Sequence, residues 1–155
     1  MDDAMSRPER VHNFGTYFIT TSCWQKRRVL QMQRNVELLL ETIEGYRADF
    51  LLHEYVIMPD HIHLILTPQN ITLDRAMQNI KGGFSHSLNQ LGPRLPVVWQ
   101  RGFTDHRIRD DADFMDHRKY IHNNPVTARL AGKPEEYLWS SAAPSCLRLD
   151  AYLRG

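Results

Sequence analysis

One stretch, Met58-Pro59-Asp60-His61-Ile62-His63-Leu64-Ile65-Leu66, constrains the fold more than any other. It follows Phe50-Leu51-Leu52-His53-Glu54-Tyr55-Val56-Ile57, an apolar run of strand character, and Pro59-Asp60 is turn chemistry. The two runs therefore predict an antiparallel hairpin. Alternate side chains of a strand share a face, so His61 and His63 project together, Ile62, Leu64 and Leu66 supply the other side, and Ile65 follows the histidines. Two imidazoles about 7 Å apart along a pleat can converge on one divalent cation. Alone, a His-x-His pair is more often satisfied by its neighbours or by solvent. A second stretch, Tyr120-Ile121-His122-Asn123-Asn124-Pro125-Val126, gives it weight.

The rest of the chain arranges itself around that hairpin. Residues 14–22 are β-branched and aromatic and predict a first strand. Residues 24–30, with Lys26, Arg27 and Arg28, read as a basic loop or helix start. Val36, Leu39, Leu40 and Ile43 recur at helical spacing within 32–46. Thr72 caps a second helix whose stripe is Leu73, Met77, Ile80 and Phe84, and Gly82-Gly83 is expected to end or bend it. After a loop at 91–96, residues 97–100 and 103–109 form a fourth strand with a break at Gly102. The order β-α-β-β-α-β predicts an α+β, ferredoxin-like antiparallel sheet with helices on one face.

A third helix, capped by Asp110-Asp111, runs through Phe114 to about Asn123, before Pro125. Phe114 and Ile121 lie on its apolar side with Arg118 between them. Asp113, Asp116, His117, Tyr120 and Asn124 fall on or near the polar side. Residues 126–131 read as a short further helix before Gly132. Residues 137–141 are expected to pack back onto the domain, and the last residues carry no signal.

At 155 residues the chain is long enough for one ordinary core, so a single domain over 1–155 is expected. No apolar run is long enough to cross a bilayer, and the polar, acidic start does not read as a signal peptide. Two distant cysteines, Cys23 and Cys146, suit a reduced cytoplasmic protein without a disulfide. The net charge of +1 does not announce a nucleic-acid partner, but its distribution is uneven. Arg10, Lys26, Arg27, Arg28 and Arg34 stand without an acid among them, and Lys81, Arg94, Arg101, Arg107 and Arg109 face only Asp105. Between these runs, 35–60 is acidic. Two basic segments can make one positive face on a compact domain.

These pieces resemble the HUH single-strand transposases with one tyrosine, the IS200-like group, and within it the REP-associated tyrosine transposases. The matching stretches are Tyr17-Phe18-Ile19-Thr20-Thr21, Val56 to Leu64 with its His-Ile-His, Gly102-Phe103-Thr104-Asp105-His106-Arg107-Ile108-Arg109, Tyr120 to Val126, and Trp139-Ser140-Ser141. They occur in the family's order over about 14–142. The resemblance implies a ferredoxin-like domain, with a C-terminal helix carrying the tyrosine, that cuts and rejoins single-stranded DNA at hairpin-bearing repeats. His61 and His63 match the metal-binding pair and Tyr120 the nucleophile. Asn124, one turn after the tyrosine, matches a third ligand that is often Gln in the wider group; His122 is a lesser alternative.

Such a site implies Mg²⁺ or Mn²⁺, with zinc not excluded by the ligand types. A cation would offset charge on a non-bridging phosphate oxygen, and attack by Tyr120 would leave a 5′-phosphotyrosine and a free 3′-hydroxyl. One phosphodiester is exchanged for another, so resealing needs no ATP, and the chain has no Gly-x-x-x-x-Gly-Lys-Ser/Thr loop. Lys26, Arg27, Arg28, Arg101, His106, Arg107 and Arg109 become candidates for gripping DNA. Trp24, Trp99 and Phe103 could stack on bases, though core packing is the commoner role of such rings. The expected partner is hairpin-bearing single-stranded DNA, the expected state monomer or homodimer, with no membrane. Two rival readings are a metal-dependent nuclease in which water attacks, and a non-catalytic nucleic-acid-binding domain of the same fold.

Overall fold

In a computed structural model, residues 15–92 and 94–153 are described; Arg10, the strand start at Phe14, and Pro93 lie outside the described residues. The elements are β1 (Tyr17–Ser22), α1 (Gln33–Gly45), β2 (Phe50–Ile57), β3 (His61–Pro68), α2 (Leu73–Leu91), β4 (Thr104–Arg107) and α3 (Asp111–Thr127). The sheet order is β2-β3-β1-β4, with every neighbouring pair antiparallel. β1 and β2 thus run parallel around β3, and β3 and β4 run parallel around β1. Two interlocked split β-α-β units result, the ferredoxin-like arrangement read from the element order.

Strand periodicity separates two faces. Tyr17 and Ile19 of β1, with Ile62, Leu64 and Leu66 of β3, face α1 and α2. There they meet Val36, Leu39 and Ile43 of α1 and Leu73, Met77, Ile80 and Phe84 of α2. On β2 the alternation slips at a bulge between Leu52 and Glu54. Phe50 and Leu52 before it and Tyr55 and Ile57 after it all reach the main core. The extra residue turns both His53 and Glu54 to the opposite face, where α3 lies.

Three elements differ from the sequence expectation. α2 does not end or bend at Gly82-Gly83 but continues to Leu91. The reason is a close helix crossing: a Cβ on Gly83 would stand 3.1 Å from Thr42 Cγ2 and 3.1 Å from Tyr46 Cε2. Thr72 does cap this helix, accepting from Arg75 N–H at 3.0 Å. α3 does not stop before Pro125 but carries it inside its last turn. A proline there forfeits only the hydrogen bond to Ile121 C=O, and residues 128–131 form no further helix. Residues 97–100 are not part of β4; they pair with the end of β1 and the chain just after it, through Gln100 N–H to Ser22 C=O and Trp24 N–H to Val98 C=O. The expected break at Gly102 is present, with φ at 73°, a conformation that favours glycine.

The outer edge of β2 is covered by the C-terminal segment. Ile57 N–H donates to Trp139 C=O and Ser141 N–H to Tyr55 C=O. Farther along, Asp150 N–H donates to Leu52 C=O and the Asp150 carboxylate accepts from Leu52 N–H. Residues 137–141 pack back as expected, and the residues beyond them, which carried no signal, seal the rest of an edge that would otherwise be open for pairing.

Candidate active site

The β2–β3 turn is pinned from outside. Cys23 N–H donates to Asp60 C=O and Leu30 N–H to Pro59 C=O. His61 donates Nδ1–H to Asp60 Oδ1 at 2.7 Å, which leaves its Nε2 as a lone pair. His63 contacts Thr20 Oγ1 through Nδ1 at 2.9 Å, and its buried Nε2 has no partner among the described residues. The two rings stand edge to face with centroids 4.9 Å apart. Burial, then the charges of His61 and Lys26, push His63 down to about 3, so it is neutral at ordinary pH. A neutral imidazole with an unspent buried nitrogen is the form that coordinates metal. The donor set fits a divalent cation, and the Asp60–His61 pair supplies the carboxylate support that such ligands use.

α3 crosses the free face of the sheet and touches each strand in turn. Asp110 caps it, accepting from Asp113 N–H at 2.8 Å. Asp113 meets His106 of β4, His117 packs on Phe18 of β1, and Tyr120 packs on His63 of β3. Arg118 and His122 meet Glu54 of β2. The Tyr120 ring lies 5.3 Å from the His63 ring and 5.9 Å from Phe18, yet remains 53% exposed. A single chain therefore brings the tyrosine to the histidine pair. Asn124 sits half-buried one turn farther along α3.

His122 is spent elsewhere, which corrects its standing as an alternative donor. It donates to Glu54 Oε1 at 2.7 Å, beside Ser141 at 2.6 Å and Arg118 at 3.1 Å on the other oxygen. Burial alone would raise Glu54, but hydrogen bonds from His122 and Ser141 and the nearby positive charge outweigh it and hold the carboxyl below its ordinary value. This network fastens the tyrosine helix to β2 and to the C-terminal segment.

Sequence reasoning placed Asp113 and His117 on the polar side of α3 but gave them no role. With His106 they form a compact group whose donor atoms lie within 4.8 Å of one another, residue types that could hold a divalent cation. As they stand, His106 Nε2 is hydrogen-bonded to the Asp113 carboxylate, 2.8 Å from Oδ2, and His117 Nδ1 lies 3.2 Å from Oδ1. Arg109 N–H adds a second bond to the Asp113 carboxylate at 2.9 Å. Burial would raise this carboxyl, but Arg109, His106 and His117 together hold it below its usual range. The i, i+4 spacing of Asp113 and His117 was the available signal; their meeting with His106 was not.

The proposed DNA contacts fall into two sets. Lys26, whose Nζ donates to Ser22 Oγ at 3.2 Å, lies at the end of β1 where Ser22 pairs with His61. Arg27 and Arg28 follow it in the exposed turns 24–31, and Arg101 stands beside this end, since Thr21 Oγ1 donates to Gly102 C=O. Arg107 pairs across from Tyr17 at the other end of β1, with His106 and Arg109 nearby. Of the aromatic candidates, Trp99 is core: its Nε1 donates to Lys81 C=O and its ring packs on Phe84. Phe103 packs against the same core, half-buried.

Comparison with known proteins agrees with this geometry. Residues 14–124 match the family model described as "Transposase IS200 like". The REP-associated tyrosine transposase of Escherichia coli K12 is 30% identical over 116 residues, 72% of this chain and 67% of that protein. A Haemophilus influenzae Rd protein is 30% identical over 145 residues, covering 72% of this chain and 81% of its own length. Among solved structures, a REP-associated tyrosine transposase bound to a REP hairpin superposes with a TM-score of 0.74 at 25% identity, over 87% of this chain and 81% of that one. A fold that presents a histidine pair to a helix-borne tyrosine, matched over most of its length, makes this chain a member of the IS200-like transposase family.

Proposed function

We propose that this protein cuts and rejoins hairpin-bearing single-stranded DNA through a 5′-phosphotyrosine on Tyr120. The observation that carries the reading is the seat of the exposed Tyr120 ring directly on His63, whose buried Nε2 has no partner among the described residues. His61, His63 and Asn124 are the residues that would hold a divalent cation, Mg²⁺ or Mn²⁺. Bound there, the cation supplies a positive charge for a non-bridging phosphate oxygen. The chain itself does the remainder. Asp60 and Thr20 fix the two rings, Phe18 backs both His63 and Tyr120, and the Glu54 network holds α3 at its distance from the sheet. Because one chain carries both halves of the site, attack in cis needs no second subunit, which favours an active monomer.

The basic groups flanking β1 give a backbone-binding surface whose affinity falls with salt, each phosphate contact adding about one unit to the salt slope. The REP hairpin bound by the structural relative points to the same class of DNA here. Two free thiols, Cys23 and Cys146, suit a reducing compartment, and we place the protein in the cytoplasm.

The test mixes the protein, Mn²⁺ or Mg²⁺, and labelled hairpin oligonucleotides with randomised single-stranded arms, then runs a denaturing gel. The expected result is a DNA–protein adduct that Tyr120→Phe lowers by at least ~10³-fold, because phenylalanine has no oxygen with which to attack. Cleavage that survives in Tyr120→Phe means water is the nucleophile; cleavage absent from the unaltered protein means a binding domain.

A further inference from the structure

The phenol of Tyr120 must lose a proton to attack, and the histidine pair offers nothing to take it, since lone pairs meant for a metal are not free bases. One other group is placed for the task. His117 precedes Tyr120 by three residues on α3, so the two side chains are neighbours on one helix face. Phe18 packs against both rings, at 4.7 Å from His117 and 5.9 Å from Tyr120. Both open on one surface depression lined by Phe18, Asp116, His117 and Tyr120.

The tautomer of His117 follows from its partners. Its Nδ1 lies 2.9 Å from the backbone C=O of Asp113. A carbonyl only accepts, so Nδ1 carries the proton, and the Asp113 carboxylate 3.2 Å away reinforces it. The lone pair of the neutral ring is then on Nε2. Behind it, Asp113 is anchored by Arg109 N–H and by His106, which stacks on His117 at 4.6 Å. A carboxylate-backed imidazole that shares a surface depression with a nucleophilic hydroxyl resembles the arrangement that activates weak nucleophiles elsewhere.

We propose that His117 is the general base for Tyr120, with Asp113 as its positioning residue and His106 as the brace on Asp113. This rests on Tyr120 being the nucleophile, as proposed above. In the forward step the Tyr120 Oη–H proton passes to His117 Nε2 while Oη forms a bond to phosphorus. The bond from phosphorus to the 3′-oxygen breaks, its electron pair leaves with that oxygen, and solvent supplies the proton. On resealing, the 3′-hydroxyl attacks phosphorus and gives its proton to solvent, the tyrosine oxygen leaves with its electron pair, and the His117 imidazolium returns the proton to it. Asp113 then faces a cation at close range, which its charge favours. Among the described residues, the charged or titratable groups around His117 are Asp113, Asp116 and Tyr120 on α3, His106 on β4, and Arg109 beside Asp113; β1 packs Phe18 against the ring.

The experiment measures adduct-formation rates against pH, with the hairpin oligonucleotide pool, for the unaltered protein and for His117→Ala, His117→Gln, Asp116→Asn and Tyr120→Phe. Loss of a general base costs about 10²-fold, so both His117 variants should be ~100-fold slower near neutral pH. Gln still offers Asp113 a donor, so equal losses in Gln and Ala exclude a merely structural role. The gap should narrow at alkaline pH, where hydroxide can take the place of the base, and added imidazole should restore His117→Ala. Mn²⁺ affinity and hairpin affinity should not change. A His117→Ala protein with the normal rate and pH profile overturns the proposal, as does loss of a bound Mn²⁺ equivalent, or a comparable drop in Asp116→Asn alone. If Tyr120→Phe still cleaves, the nucleophile assignment fails and the base falls with it. A Tyr120-dependent adduct indifferent to His117 sinks only the base.

Discussion

On the face of the sheet covered by α1 and α2, Ile19, Leu52, Ile62, Leu64 and Leu66 are fully buried against Val36, Leu39, Ile43 and Ile80. On the other face, α3 buries only Phe114, Ile121 and Pro125 as apolar groups and otherwise meets the strands through rings and ions: Asp113 on His106, Tyr120 on His63, Arg118 and His122 on Glu54. One helix pair is held by apolar area, which is non-directional. The crossing helix is held by a smaller apolar cluster, Phe114 and Ile121 against Val56, Met58, Ile65 and Ile108, and by directional bonds, some of which also fix where a reactive group stands. The larger apolar core and the chemistry thus lie on opposite sides of one sheet.

That division is open to a direct test, and truncation gives the largest effect. Leu64→Ala removes a fully buried side chain from the main core and should cost about 3 kcal/mol in urea unfolding. Tyr120→Phe removes one oxygen from a ring that is 53% exposed and should stay within about 0.5 kcal/mol while abolishing the adduct. Similar stability losses at the two sites would mean that the faces are not divided as argued.

Next in size is the fastening of α3. Glu54→Ala leaves His122 and Ser141 without their acceptor and strips Arg118 of its partner, while the 41% exposure of the Arg118 side chain lets that cation reach water. A cost of about 2 kcal/mol follows, below the ~3–5 kcal/mol of breaking a wholly buried pair. The loss should appear first as proteolysis within α3, with the core face still protected. Simultaneous loss of both faces would show that the helix is integral to the core and not merely strapped to it.

A pH series sharpens the contrast further. His63 falls from its ordinary value of 6.5 to about 3, chiefly through burial and then through His61 and Lys26. The unfolded chain therefore binds a proton that the folded one refuses between those values. Stability from this group is complete above about 6.5 and is lost as pH falls toward 3, at about 1.4 kcal/mol per pH unit. His53, lowered first by burial, adds in the same direction. Glu54, Asp113 and Asp150 are held down instead, so their contributions persist above the ordinary carboxylate range and fade only below about 4. Between pH 4.5 and 6.5, in chelator, His63→Gln should thus flatten the stability curve by about one proton's worth of slope. An unchanged slope would mean that His63 is solvated in the folded protein.

What the residues disclosed in advance was local. Pro59-Asp60 with flanking apolar runs gave away the hairpin and its two histidines, Thr72 its cap, and the family motifs the tyrosine. What they concealed was tertiary. Glu54 reads as one polar residue in a strand until a bulge turns it beneath Arg118 and His122, more than sixty positions away. Asp113 and His117 announce a polar helix face, but His106 reaches them only because β4 lies at the sheet edge beside the start of α3. Pro125 falls in the last turn of α3, where the missing N–H costs a single bond and the sequence rule for a stop is weakest.

The smallest effect separates two adjacent glycines of α2. A Cβ on Gly82 would meet nothing within 4 Å, so Gly82→Ala gains helix propensity and should stabilise by about 0.5–1 kcal/mol. Gly83→Ala makes the same local gain but drives its methyl to 3.1 Å from Thr42 and Tyr46, where α1 crosses. Those side chains must shift by a few tenths of an ångström within the packed face, and the net change should be a loss of about 1 kcal/mol. Opposite signs in thermal unfolding, with adduct formation equal in both variants, would show that this face tolerates no added volume at the crossing and that its strain does not reach α3. If both alanines stabilise, the two helices yield more readily than their contact distance implies, and the helix-covered face owes less to close packing than the comparison assigns it.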